Sequence, residues 1–143
     1  MKVLVADNLS SLGVDILKQE SGIDVDVNTG LSKEELIKII SSYEGLIVRS
    51  ATKVTPDVIE AATNLKVIGR AGIGVDNIDV AAAGKKGIIV MNTPEGNVIT
   101  TAEHTMALML SMSRNIPQAR SMLKDQKLGI QKNSWAKSFI VKL

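Results

Sequence analysis

The sequence predicts a doubly wound α/β fold on a five-stranded parallel sheet, and three observations carry that prediction. Short runs rich in Val, Ile and Leu recur at residues 2–6, 24–28, 45–48, 65–69 and 88–91. The segments between them carry helix start and stop signals rather than tight hairpin turns, so consecutive strands are joined by crossovers. Aromatic residues number one Phe, one Tyr and one Trp among 143, and an aliphatic core suits parallel strands covered by helices. The combination is flavodoxin-like in type.

Each element has its own justification. Residues 2–6 are an apolar run that reads as a buried strand, and 10–18 as a helix that Ser10 or Ser11 can cap. Residues 24–28 alternate Val with Asp, as an edge strand does. Ser32 and Glu35 have capping-box spacing and open a helix that runs to about residue 40. Residues 45–48 form the third strand, and Pro56 after Thr55 starts the next helix, because proline lacks only an N–H that has no partner there. The fourth strand is 65–69, the following helix 78–85 ends near Gly87, and 88–91 is the fifth strand. A long apolar helix over 98–114 crosses away from the sheet, and a shorter one begins near Pro117. The expected organisation is a sheet domain at 1–97, crossover helices at 98–125 and a tail at 126–143.

Composition excludes several functional classes. With 17 basic residues against 15 acidic ones the net charge is +2, too even for a nucleic-acid surface, and stacking aromatics are missing. Cysteine is absent, which removes disulfides and thiolate metal sites and fits a reducing cytoplasm. The initial apolar run is too short for a signal peptide and is broken by Asp7. Residues 98–112 come nearest to a membrane span, but Thr100, Thr101, Glu103 and His104 interrupt them. No membrane or nucleic-acid partner is expected.

In open α/β sheets ligands collect beyond the carboxyl ends of the strands. Three loops there carry chemistry: Arg49-Ser50, residues 70–77, and residues 92–97. Two arginines at one sheet edge can grip a carboxylate or phosphate through charge-assisted hydrogen bonds. Gly72 and Gly74 permit close backbone approach, so peptide N–H groups can face an anion, and Asn97 offers a donor and an acceptor. The Gly72-x-Gly74 pair lacks the third glycine of a dinucleotide fingerprint.

Four segments then bear a resemblance: Ser-Lys-Glu-Glu-Leu at 32–36, Glu-Gly-Leu-Ile-Val-Arg-Ser-Ala-Thr-Lys-Val at 44–54, Arg-Ala-Gly-Ile-Gly-Val-Asp-Asn at 70–77, and Met-Asn-Thr-Pro at 91–94. In that order they resemble the substrate-binding half of the D-3-phosphoglycerate dehydrogenase family of NAD-dependent 2-hydroxyacid dehydrogenases. The likeness runs over residues 2–124. It implies a small anionic 2-hydroxy acid as substrate, with D-3-phosphoglycerate and serine biosynthesis foremost, and NAD as cofactor. It implies that Arg49, Ser50, Arg70, Gly72 and Asn97 line the substrate cleft. Ile73 then stands where this loop approaches the nicotinamide, through backbone or van der Waals contact alone. Asp76 and Asn77 are expected to hold the loop and cap the helix at Ile78.

The same resemblance assigns the catalytic arginine, glutamate and histidine to a nucleotide-binding domain that has no counterpart here, so the chain alone is expected to be inactive. His104, the only histidine, is expected to be a packing or interface residue on its helix, with Glu103 structural and Met106, Met109 and Met112 a packing stripe. The helix over 98–114 is expected to mediate self-association. After residue 125 the sequence leaves the family pattern, and back-translation of 130–143 from the third codon base permits a family-like continuation, so the tail reads as a frameshift product. A different class, a stand-alone anion-binding or regulatory module, would use the same cleft without catalysis. A phospho-receiver reading, suggested by Asp7, fails because Arg49-Ser50 and Asn92-Thr93 stand where an aspartate and a lysine are required.

Overall fold

A computed structural model describes residues 1–124 of the chain, and the tail expected at 126–143 lies outside the described residues. The elements run β1 (Lys2–Val5), α1 (Ser11–Gln19), β2 (Asp24–Val27), α2 (Lys33–Ile39), β3 (Gly45–Val48), α3 (Pro56–Ala61), β4 (Val67–Arg70), α4 (Val80–Lys85), β5 (Ile89–Asn92), α5 (Val98–Ser113) and α6 (Ile116–Lys124). The chain divides into one unit, Met1–Gly96, and a second from Asn97 onward.

The five strands are all parallel, in the order β2-β1-β3-β4-β5. The expected α/β fold and flavodoxin-like sheet are therefore present. Right-handed crossovers decide which face each helix covers. The step from β1 to β2 runs one way along the sheet and every later step runs the other, which puts α1 on the face opposite α2, α3 and α4. The larger core sits under those three. Leu4, Leu46 and Ile68 from the strands meet Leu36, Ile40, Val58, Ile59 and Ala83 from the helices. Full burial of each large aliphatic side chain contributes roughly 1.5–3 kcal/mol, so this layer anchors the sheet. Val3 and Val5 point to the other face, on the side where α1 packs along β2.

Several boundaries differ from the expectation. The fourth strand is 67–70 rather than 65–69, because Leu65 is a core residue ahead of the ladder and Arg70 still pairs with Val48 and Asn92. The fifth strand likewise shifts one residue later. Ser10 stands at the N-cap of α1 without a side-chain capping bond, whereas Ser32 and Glu35 form the full capping box of α2. The helix expected from Ile78 starts at Val80, with Asp79 as its cap through a 2.8 Å bond from the Ala82 N–H. Asp76 and Asn77 do not cap it. Asn115 in the left-handed region, φ 52°, ends α5 and lets α6 begin one residue before Pro117. Among the described residues no helix is long and apolar enough to cross a membrane.

Candidate functional site at the carboxyl edge of the sheet

The strand order reverses between β1 and β3, and at that point an open α/β sheet leaves a crevice. Asp7 follows β1 there and is 4% exposed. Its Oδ2 accepts from the backbone N–H of Arg49 at 2.6 Å, and its Oδ1 accepts from the Thr52 hydroxyl at 2.6 Å and the Thr52 N–H at 3.1 Å. Burial pushes the Asp7 carboxyl up, but the Thr52 hydroxyl and the N–H groups of Arg49, Thr52 and Ala51 outweigh it and hold the group below its ordinary value near 3.8. A buried carboxylate therefore clamps the loop that carries Arg49 and Ser50. The Arg49 side chain reaches across to the carbonyl of Asn8, Nη1 to O 3.1 Å.

The second arginine stands one strand over. Arg70 ends β4 opposite Val48, and Ala71 donates to the Val48 carbonyl at 2.8 Å. Gly72 follows at φ +158°, a conformation that disfavours side chains, and a Cβ there would lie 2.7 Å from Arg70 Cζ. The missing side chain is thus the seat of the Arg70 guanidinium. Gly74 serves similarly, since a Cβ on it would meet Asp76 Oδ1 at 2.7 Å. The Gly72 N–H donates to the Arg70 carbonyl at 2.9 Å.

The loops are stitched to each other. Asn77 Nδ2 donates to the carbonyls of Arg49 at 2.8 Å and Thr52 at 2.7 Å, and Val54 forms an isolated parallel bridge with Ile78. From β5, Asn92 Nδ2 donates to the Ile73 carbonyl at 2.7 Å, and the Thr93 N–H donates to Gly72 O at 3.0 Å. Asn77 thus holds the loop as expected, whereas Asp7, Thr52 and Asn92 were not site candidates from sequence. The available signal was an aspartate directly after a buried apolar strand, where an ionised group needs several donors.

Two features mark this edge as more than a scaffold. Among the described residues no carboxylate lies within ion-pairing distance of Arg49 or Arg70; the ion pairs present join other groups. Among the described residues the buried side-chain polar atoms without a partner are Thr55 Oγ1, Arg70 Nε and Asn77 Oδ1, all in or beside these loops. A concavity of about 680 Å³ opens between the starts of α3 and α4, lined by residues that include Ser50, Lys53, Thr55, Asp76 and Asn77. Ser50 lines it, whereas Arg49, Arg70 and Gly72 stand outside it. Ile73 is 40% exposed at the loop tip.

Asn97 belongs to the second unit, at the N-cap of α5, where its carbonyl accepts from Thr101 and Thr100 and its side chain makes no cap bond. No residue of α5 is buried. His104, Met106, Met109 and Met112, expected as packing or interface residues, are all exposed among the described residues. Among the described residues no group of three or more His, Asp or Glu could hold a metal.

Comparison with known proteins agrees with this architecture. Residues 3–138 match the model of the D-isomer specific 2-hydroxyacid dehydrogenase catalytic domain. The chain is 56% identical over 124 residues to a D-3-phosphoglycerate dehydrogenase of Methanocaldococcus jannaschii, covering 87% of this chain and 23% of that protein. It is 54% identical over 126 residues to the human protein of the same name, covering 88% and 24%. It thus spans about a quarter of the length of the curated relatives it matches. Among solved structures, a Pyrococcus horikoshii protein superposes with TM-score 0.81 at 32% identity, over 95% of this chain and 40% of that one. The NAD+-bound 3-phosphoglycerate dehydrogenase of Entamoeba histolytica superposes with TM-score 0.67 at 33% identity, over 78% and 38%. The chain belongs to the D-isomer specific 2-hydroxyacid dehydrogenases, through the catalytic domain of that family.

Proposed function

We propose that this chain is the substrate-gripping part of an NAD-dependent dehydrogenase acting on D-3-phosphoglycerate, in which Arg49 and Arg70 hold the anionic groups. The observation that carries the reading is a pair of arginines at the carboxyl ends of the adjacent strands β3 and β4 with no carboxylate partner among the described residues. Ser50 is read as hydrogen-bonding the carboxylate or hydroxyl of the ligand. Gly72 is read as lining the cleft through its seating of Arg70.

The chain's own residues offer little to a dinucleotide. Ile73 presents apolar surface suited to a nicotinamide, but no Gly-x-Gly-x-x-Gly follows any strand. The only histidine is on α5, so the sheet unit has no imidazole to exchange a proton with a substrate hydroxyl. The 143 residues by themselves are therefore read as binding substrate without turning it over. NAD enters as the cofactor that accepts hydride in the family's reaction.

Titration calorimetry with D-3-phosphoglycerate tests this directly. Affinity is expected at about the millimolar level, roughly −4 kcal/mol, because Arg49 is solvent-exposed and water screens it. It is expected to weaken with added salt and to fall about fivefold in Arg70→Ala, with no NAD reduction. Indifference to both salt and Arg70→Ala would remove this assignment. We also read α5 as the contact between two copies of the chain. Its Ile99 and Met112 are each 73% exposed, and apolar surface of this kind is normally covered. Sedimentation of a clean monomer at high concentration would exclude that contact.

A further inference from the structure

We propose that Asp7 is the positioning residue of the anion grip: it holds the Arg49 loop in its binding shape and, through Asn77, ties that shape to the Arg70 loop. The inference deepens the proposed substrate grip and rests on that reading for its ligand.

Asp7 lies beyond the last pairing of β1, directly beside the end of β3, and its carboxylate meets the Arg49–Thr52 loop at both ends. One oxygen takes the Arg49 N–H at 2.6 Å and the other takes the Thr52 hydroxyl at 2.6 Å, with the Thr52 N–H lying 3.1 and 3.2 Å from the two oxygens. Three donors converge on a group that is 4% exposed. An amide replaces it only in part: with its oxygen toward Arg49, asparagine would turn an NH2 toward Thr52, where only the hydroxyl can switch to accepting, and the carboxylate charge that shortens these bonds would be lost. The carbonyls of the same two residues, Arg49 and Thr52, accept from Asn77 Nδ2 at 2.8 and 2.7 Å. The peptide groups of Arg49 and Thr52 are thus held from one side by Asp7 and from the other by Asn77. Asn77 in turn closes the loop that begins at Arg70, and its own carbonyl accepts from Val54 at 2.8 Å. This chain of bonds ties the backbone of the Arg49 loop to that of the loop that begins at Arg70. The bonds of Asp7 go to the Arg49–Thr52 loop, so its effect on binding is assigned through Arg49.

The test uses the 143-residue chain with Asp7→Asn, Thr52→Val and Thr52→Ser, read by amide NMR and by D-3-phosphoglycerate titration. Asp7→Asn and Thr52→Val are expected to shift the amides of residues 49–52 and also those of 72–77, whereas Thr52→Ser, which keeps the hydroxyl, leaves 72–77 in place. Affinity is expected to fall about fivefold in Asp7→Asn, and that loss is expected to vanish when Arg49→Ala is already present. Shifts confined to residues 49–52, or an equal affinity loss with and without Arg49, overturn the proposal. If Asp7→Asn does not fold, Thr52→Val against Thr52→Ser decides it. If the unsubstituted chain shows no saturable binding, the ligand reading fails while the amide shifts still decide the positioning role.

Discussion

The two ends of the sheet treat charge in opposite ways. At the amino end, Lys2 pairs with Asp26 at 3.0 Å, and Glu44 pairs with Lys66 at 2.6 Å while also accepting from the Lys2 N–H. The Tyr43 hydroxyl completes the set by donating to Asp26 at 2.9 Å. At the carboxyl end, Asp7 gives its carboxylate to backbone and hydroxyl donors, and among the described residues both arginines are left without a carboxylate. One end is neutralised by its own side chains. The other keeps positive charge available, and an uncompensated pair of that kind is where a binding site is expected.

The comparison breaks most readily at Gly72. Replacement by alanine forces a side chain into a backbone region that disfavours one and into the volume of the Arg70 guanidinium. A stability loss of about 1–3 kcal/mol is expected from denaturant melts. Anion affinity is expected to fall with it, because Arg70 must move. Alanine at Gly84 is the control, where a Cβ meets nothing within 4 Å. Equal behaviour of the two variants would mean the seat is unimportant.

Acid titration gives a smaller, sign-specific effect. Asp7 is held below its ordinary value near 3.8, so its contribution to stability is complete above that value and is lost as pH falls through the folded-state value. Thermal midpoints between about pH 2.5 and 5 are expected to decline less steeply in Asp7→Asn than in the unsubstituted chain. Asp26, Glu35 and Glu44 are also held low by their partners, so some acid slope remains in the variant. An unchanged slope would mean that Asp7 is not ionised in the folded chain.

The smallest effect belongs to the amino end. Glu44→Gln removes the partner of Lys66 and weakens the bond to the Lys2 N–H, but these groups are solvated. A slight drop in the melting midpoint is expected, disappearing in about 0.5–1 M salt, with phosphoglycerate affinity unmoved. A change in affinity would erase the distinction between the two ends.

The placement of the two arginines was legible in the sequence. Arg49 and Arg70 could be placed at one edge because each follows an apolar run, and the strand signals put those runs side by side. Asp7 could not be recognised as a clamp, because its donors come from residues 49–52, more than forty positions away. That Gly72 makes room for Arg70 was hidden for a related reason. A glycine's sequence context says that a tight conformation is possible, but it does not say which side chain fills the vacated space. The capping errors at Asp76 and Asn77 arose from three nearby polar residues, Asp76, Asn77 and Asp79, each able to cap. Only the bridge from Val54 to Ile78, with its Asp79 N–H to Val54 O bond, fixed where helical geometry could begin.

By itself the sequence determined the fold class, the parallel sheet, the capping box at Ser32 and the family, because each rests on local pattern or on contiguous motif. Periodicity and cap spacing act over a few residues and survive without knowledge of the partner. The tertiary structure alone decided where the buried carboxylate of Asp7 found its donors, which glycine seats Arg70, and how Asn77 ties two loops together. Those are contacts between residues distant in the chain, and a buried polar group takes whatever donors the folded sheet brings within reach.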